Sequence, residues 1–216
     1  MSSRIPQTQL TITVEGLAKT FGRERILRNF DHEFSANSST AITGSNGSGK
    51  STLLKLLSGM VVPDKGQINY FIDHQKVATE DVFRCISFCA PAQQLIEEFS
   101  LREMLRFHLK FCQFIPGLDL QSFMEIAYFS DDQHKKINLF SSGMKQRLKL
   151  ALALFTDTPV LMLDEPTTNM DDHGVKWYKK QILKMVNQRL IIIASNQPHE
   201  YEFCNQQISI EDYKAH

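Results

Sequence analysis

Residues 44–51 read Gly44-Ser45-Asn46-Gly47-Ser48-Gly49-Lys50-Ser51, and this octapeptide constrains the fold more than any other feature of the chain. Glycines so closely spaced do not suit the interior of a helix or a strand, so the stretch is a turn. Residues 38–43 enter it as a short buried strand, and residues 51–58 leave it with apolar side chains at helical spacing. Strand, glycine turn and helix in the spacing G-x-x-x-x-G-K-S form a layout that cradles phosphate. Backbone amides turn inward where no Cβ obstructs them, and the helix N-terminus adds partial positive charge. Gly44, Ser45, Asn46, Gly47, Ser48, Gly49 and Thr52 are therefore expected to line a phosphate chain. Lys50 should reach the β- and γ-phosphates, and Ser51 should ligate Mg²⁺ through its hydroxyl.

A second stretch supplies acids. Residues 160–165 run Val-Leu-Met-Leu-Asp-Glu, an apolar strand ending in Asp164 and Glu165. In open α/β sheets, ligands bind at the carboxyl ends of the strands. Adjacent strand residues point to opposite faces, so the two acids can do different work. Asp164 suits Mg²⁺, held through a water, and Glu165 suits the general base that polarises an attacking water.

Around these stretches the pattern alternates. Residues 10–14, 26–34, 67–72, 85–89 and 190–194 read as strands, with a turn at 20–24 and a loop punctuated by Gly59, Pro63 and Gly66. Helices are expected over 118–129, 144–155 and 175–187. Another starts at Ser100, where Ser100 and Glu103 form a capping box, and ends at Pro116-Gly117. The expected fold is α/β with a mostly parallel sheet and a helical insertion near 95–145. The chain has 216 residues, enough for one domain with a small lobe. Lys plus Arg and Asp plus Glu are both 24, so no overall charge draws it to nucleic acid. The longest apolar runs fall far short of a membrane span, and residues 1–6 lack the pattern of a signal peptide. The four cysteines are irregularly spaced and are expected to be reduced and mostly buried.

Two further stretches carry a resemblance. Phe140-Ser141-Ser142-Gly143-Met144-Lys145-Gln146-Arg147 opens a helix ahead of the acidic strand, and Pro166-Thr167-Thr168-Asn169-Met170-Asp171 follows that strand directly. Together with the loop and the acids, they resemble the nucleotide-binding domain of ABC ATPases over about residues 10–200. The family signature is usually L-S-G-G-Q. Ser141 and Gly143 match it, while Ser142 and Met144 depart from it.

The resemblance implies a single ABC ATPase domain, with core segments near 1–94 and 146–216, a small antiparallel β lobe and a helical subdomain near 95–145. It implies ATP and Mg²⁺ as ligands and a head-to-tail dimer, homomeric or with a related ATPase subunit, when ATP is bound. In that dimer Ser141 and Gly143 of one subunit would face the phosphate loop of the other, while Thr168-Asn169-Met170-Asp171 matches the family's D-loop, with Asp171 counted among the nucleotide-binding residues. Phe21 matches the aromatic that stacks on adenine. The family's glutamine loop falls at Pro91 or Ala92 without gaps, and Gln93, just beyond, is taken as its metal-contacting residue. Asn196 stands where the family has a switch histidine; it can donate a hydrogen bond to the γ-phosphate but cannot carry a proton.

The function implied is ATP hydrolysis powering an ABC transporter, an exporter by its signature variant. A separately encoded transmembrane permease would be its partner, and it would sit in the cytoplasm on the inner face of the cell membrane. The alternatives are a soluble non-transport ABC ATPase and a weakly active regulatory ATP-binding module.

Overall fold

The computed structural model describes residues 9–214; the N-terminal hexapeptide examined above for a signal sequence lies outside them. In chain order the elements are β1 (Leu10–Phe21), β2 (Glu24–Phe34), β3 (Ser39–Thr43), α1 (Lys50–Leu57), β4 (Lys65–Ile72), β5 (Gln75–Lys76) and β6 (Ile86–Cys89). There follow α2 (Leu101–His108), α3 (Leu120–Ile126), α4 (Ser142–Phe155), β7 (Val160–Asp164), α5 (Asp172–Ile182), β8 (Leu190–Ala194), α6 (Pro198–Tyr201) and β9 (Gln206–Ser209). The described chain falls into two compact units. Among the described residues, one comprises 9–88, 158–165 and 183–214, and the other comprises 89–157 and 166–182. The second unit takes in more chain than the 95–145 stretch, since it holds α4 and α5 whole.

The first unit carries two sheets. One is antiparallel in the order β2-β1-β4-β5. Alternation sets its inner face: Leu10, Ile12 and Val14 are buried while Thr11 and Thr13 are half-buried. Strand β1 runs on to Phe21, because Thr20 and Phe21 pair with Arg25 and Glu24, and the expected turn shrinks to residues 22–23. Gly66 lies within β4 and not in the preceding loop. A Cβ there would sit 2.4 Å from the Glu15 carbonyl oxygen, at the register shift between β1 and β4, so this glycine lets two backbones approach closely.

The second sheet has the order β6-β7-β8-β3-β9, and the β7–β8, β8–β3 and β3–β9 pairings are parallel. Every residue of β3, β7 and β8 is buried, which explains their apolar or small-residue character up to Asp164, the last residue of β7. Leu53, Leu54, Leu56 and Leu57 of α1 join Ile42, Met162 and Ile192 in one apolar cluster. Strand β9 is polar and exposed at Gln206 and Gln207, so its sequence carries no strand pattern; pairing of Ile208 with Ile42 recruits it to the sheet edge.

The second unit is helical. The capping box at Ser100 is present with both arms: Glu103 N donates to Ser100 Oγ, and Ser100 N donates to Glu103 Oε2 at 2.8 Å. Helix α2 stops at His108, well before Pro116. The chain instead turns and pairs with the end of α4: Asp157 N donates to the Gln113 carbonyl and Ile115 N to the Phe155 carbonyl, each at 2.9 Å. Helix α5 likewise ends at Ile182 and not near 187, and Asn187 adopts a left-handed φ of 62° in the following turn. Phe114, Phe123 and Phe129 are core residues, Phe99 and Phe107 are half-buried, and Phe111 is 73% exposed. None of the four cysteines is in a disulfide; Cys89 is buried and the other three are half-buried.

Candidate functional site

The register of the parallel sheet builds the site. Ile42 of β3 and Asp164 of β7 both pair with Ala194 of β8. The carboxyl ends of three strands therefore lie level, and the residues that follow each of them leave the sheet at one edge. Those residues are the glycine loop after Thr43, Glu165 after Asp164, and Ser195-Asn196 after Ala194.

The loop turns through left-handed backbone at Gly44 (φ 147°), Gly47 (75°) and Gly49 (107°). The three glycines meet different surroundings. A Cβ on Gly49 would come within 2.5 Å of Ile26 Cγ2, and one on Gly44 within 2.7 Å of Ile210 Cγ2. Those two positions are filled from behind by the protein's own isoleucines, whereas nothing lies within 4 Å of a Cβ at Gly47. Gly47 is thus the position where the backbone is bare toward open space. Gly49→Ala combines the steric clash with the backbone penalty. It should cost about 3 kcal/mol, a fall of roughly 6–12 °C in Tm for a chain of this size. Thermal denaturation checks this, and an unchanged Tm would remove Ile26 as the wall of the loop.

Lys50 is 4% exposed, and its Nζ donates to the carbonyls of Gly44 (2.8 Å) and Ser45 (3.0 Å), folding back over its own loop. Ser51 Oγ donates to Asp164 Oδ1 at 2.9 Å, which joins the loop to β7. Asp164 is 6% exposed, and that burial raises its carboxyl above the ordinary range; Glu165 pushes the same way, while Ser51, Lys55 and Lys50 oppose it. Glu165 is half-buried with a φ of 41°, and its N–H donates to the Ala194 carbonyl at 2.9 Å. A bulky residue held in left-handed backbone at a strand end is the kind of outlier that accompanies functional sites. Asn196 is exposed, and its Nδ2 donates to Asn46 Oδ1 at 2.8 Å, so the switch position touches the tip of the loop.

The residues fit the expected ligands. Ser51 and Asp164 set two hard oxygen donors side by side, the chemistry magnesium prefers. Within the loop, Ser48 Oγ is a buried polar atom with no hydrogen-bond partner, next to the bare Gly47. Phe21 ends β1 with its ring 49% exposed, and Lys19 Nζ lies 5.3 Å from the ring centroid. Thr52 is half-buried in the first turn of α1.

The remaining expected residues lie in the second unit. Ser141 caps α4, its Oγ accepting from Met144 N at 3.2 Å. A Cβ on Gly143 would meet the Asn169 carbonyl oxygen at 3.0 Å. Gln146 Nε2 donates to the Pro166 carbonyl at 2.9 Å, so the signature helix and the segment after Glu165 are stitched together within that unit. Asp171 Oδ1 accepts from Gly174 N at 2.8 Å. Gln93 is exposed, with its N–H on the Ala90 carbonyl at 3.1 Å.

Several contributors escaped the sequence reading. Glu211 Oε1 accepts the Ser45 N–H at 2.9 Å, and this contact holds the Glu211 carboxyl below the usual range. Ile26 and Ile210 back the loop. Ser195 and Glu200 are buried beside Asn196. Glu211 and Ser45 are 166 residues apart, and no local pattern links them.

A glycine loop, a buried aspartate and a strained glutamate on one edge of a parallel sheet define a nucleotide-binding protein of the phosphate-loop class. The ABC transporter family model matches residues 27–168, and the chain belongs to that family. Among curated relatives, the chain is similar to the Nod factor export ATP-binding protein I of Rhizobium sp. (strain N33). The two are 29% identical over 90% of this chain and 66% of that protein, so this chain spans just under two thirds of its relative. It is likewise similar to the uncharacterized ABC transporter ATP-binding protein YybJ of Bacillus subtilis (strain 168), at 29% identity over 88% of this chain and 86% of that one. Among solved structures, the dimeric ATP-binding cassette MJ0796, in a post-hydrolysis state bound to ADP and Pi, superposes with a TM-score of 0.79. Its identity is 20% over 94% of each chain, a likeness of fold. No helix among the described residues is long and apolar enough to cross a membrane.

Proposed function

We propose that this chain binds ATP with magnesium and hydrolyses it to ADP and phosphate, as the ATP-binding subunit of an ABC exporter. The observation that carries the reading is the level alignment of three strand ends, which gathers Lys50, Ser51, Asp164, Glu165 and Asn196 at one edge.

The loop amides and the N-terminus of α1 hold the phosphate chain. Lys50 exchanges its two loop carbonyls for phosphate oxygens as nucleotide enters. Phe21 offers its exposed ring to the adenine. Ser51 and Asp164 would hold Mg²⁺, which neutralises charge between the β- and γ-phosphates when bound. Glu165 accepts the proton of the attacking water, and Asn196 donates a hydrogen bond to the γ-phosphate. A second copy, or a related ATPase subunit, supplies the capped tip of α4 at Ser141 and Gly143 to close over the nucleotide. A separately encoded permease completes the transporter and holds the chain at the inner face of the membrane. The export direction rests on the name of the Nod factor relative.

A phosphate-release assay on the purified chain with magnesium and ATP tests the reading. Asn196 keeps the hydrogen-bonding role of the switch but cannot hold a proton, so Asn196→His should raise the steady-state rate by about tenfold. An unchanged or lower rate would show that asparagine is not the deficit argued here.

A further inference from the structure

We infer that Ser195 and Glu200 are positioning residues that set the attitude of Asn196 toward the phosphate loop. The inference rests on the reading above, in which Asn196 meets the γ-phosphate, and it names what holds Asn196 in place.

Strand β8 ends at Ala194, but the ladder continues one residue further: Ser195 N donates to the Ile42 carbonyl at 3.1 Å. That bond fixes the start of the following turn against β3. The Ser195 side chain then uses both of its capacities. Its hydroxyl donates to Glu200 Oε2, in the first turn of α6, and accepts from the N–H of Gln197 at 2.9 Å. One buried hydroxyl thus ties together the residues before and after Asn196. Ser195 is 0% exposed and Glu200 is 1% exposed, whereas Asn196 between them is open to solvent.

The result is a turn pinned from below, with a single amide side chain at its apex. That amide reaches across to Asn46 Oδ1 at 2.8 Å. Burying a carboxylate at this depth carries a desolvation cost. A turn needed only for connection could close with an apolar contact. A carboxylate aimed at the one hydroxyl that spans Asn196 fixes the direction of the apex. Misplacing a catalytic side chain by about 1 Å is enough to cost on the order of a hundredfold in rate, so a support of this kind acts on turnover more than on binding.

The test uses the full chain, with phosphate release for kcat and KM, and hydrogen exchange for the amide of Gln197. Ser195→Ala and Glu200→Ala should each lower kcat by about tenfold while KM for ATP stays within about twofold. Glu200→Gln keeps an oxygen that accepts from Ser195 and should recover most of the rate. Exchange at the Gln197 amide should quicken in Ser195→Ala and in Glu200→Ala, in the absence of nucleotide. In an Asn196→Ala background, neither substitution should cost anything more, because residues acting through one group are not additive.

Losses that multiply in the Asn196→Ala background overturn the pair as positioning residues and leave the reading of Asn196 intact. A wild-type rate in Asn196→Ala alone overturns the reading of Asn196 and the inference with it. Should Glu200→Ala not yield folded protein, Ser195→Ala removes only the hydroxyl and carries the same comparison.

Discussion

Glu165→Gln is expected to bind ATP as tightly as the parent chain and to hydrolyse it about 100- to 10,000-fold more slowly, the range over which a positioned general base contributes. The substitution is nearly isosteric and leaves the backbone at residue 165 free to keep its φ of 41° and its N–H on the Ala194 carbonyl. What it removes is the ability to take a proton from water. Nucleotide bound but not consumed should also hold two copies closed, so size-exclusion chromatography with ATP should show a dimer that the parent chain shows only transiently. Turnover at the parent rate would remove Glu165 as the base.

Lys50→Met is expected to fail one step earlier, at binding. The lysine amine makes two short hydrogen bonds to loop carbonyls, and both are available for exchange to phosphate oxygens. Charge-assisted hydrogen bonds of this kind contribute about 1.5–3 kcal/mol each, so losing two should weaken ATP affinity by roughly a hundredfold to ten-thousandfold. Methionine keeps most of the buried stem, so Tm should move by only a few degrees. Equilibrium binding of a fluorescent ATP analogue separates the two effects. Unchanged affinity with intact fold would mean that the loop amides suffice without the amine.

The placement of the candidate site was legible where it is local. Residues 44–51 and 160–165 each combine a structural pattern with reactive side chains, and both sit where the pattern places them, at the ends of β3 and β7. The capping box at Ser100 was legible for the same reason, since its partners are three residues apart. What failed was governed by distant partners. Helix α2 ends early because residues 113–115 pair with residues 155–157. Gly66 reads as a loop residue until Glu15 is placed beside it. Strand β9 has no apolar run and exists because β3 offers an edge. The role of the glycines was only partly legible: at Gly44 and Gly49 the space a side chain would need is taken by Ile210 and Ile26, and only Gly47 faces outward. Neither isoleucine stands out in the sequence.

The backing of the loop by Ile210 and Glu211 has a consequence for how the protein is made. Residues 44–51 are synthesised well before the side chain that braces Gly44 and the carboxylate that takes the Ser45 amide, since Glu211 follows Ser45 by 166 residues. A nascent polypeptide lacking those residues holds the glycine sequence without its finished shape. The loop therefore takes its finished shape only after Ile210 and Glu211 have been made and have packed against it.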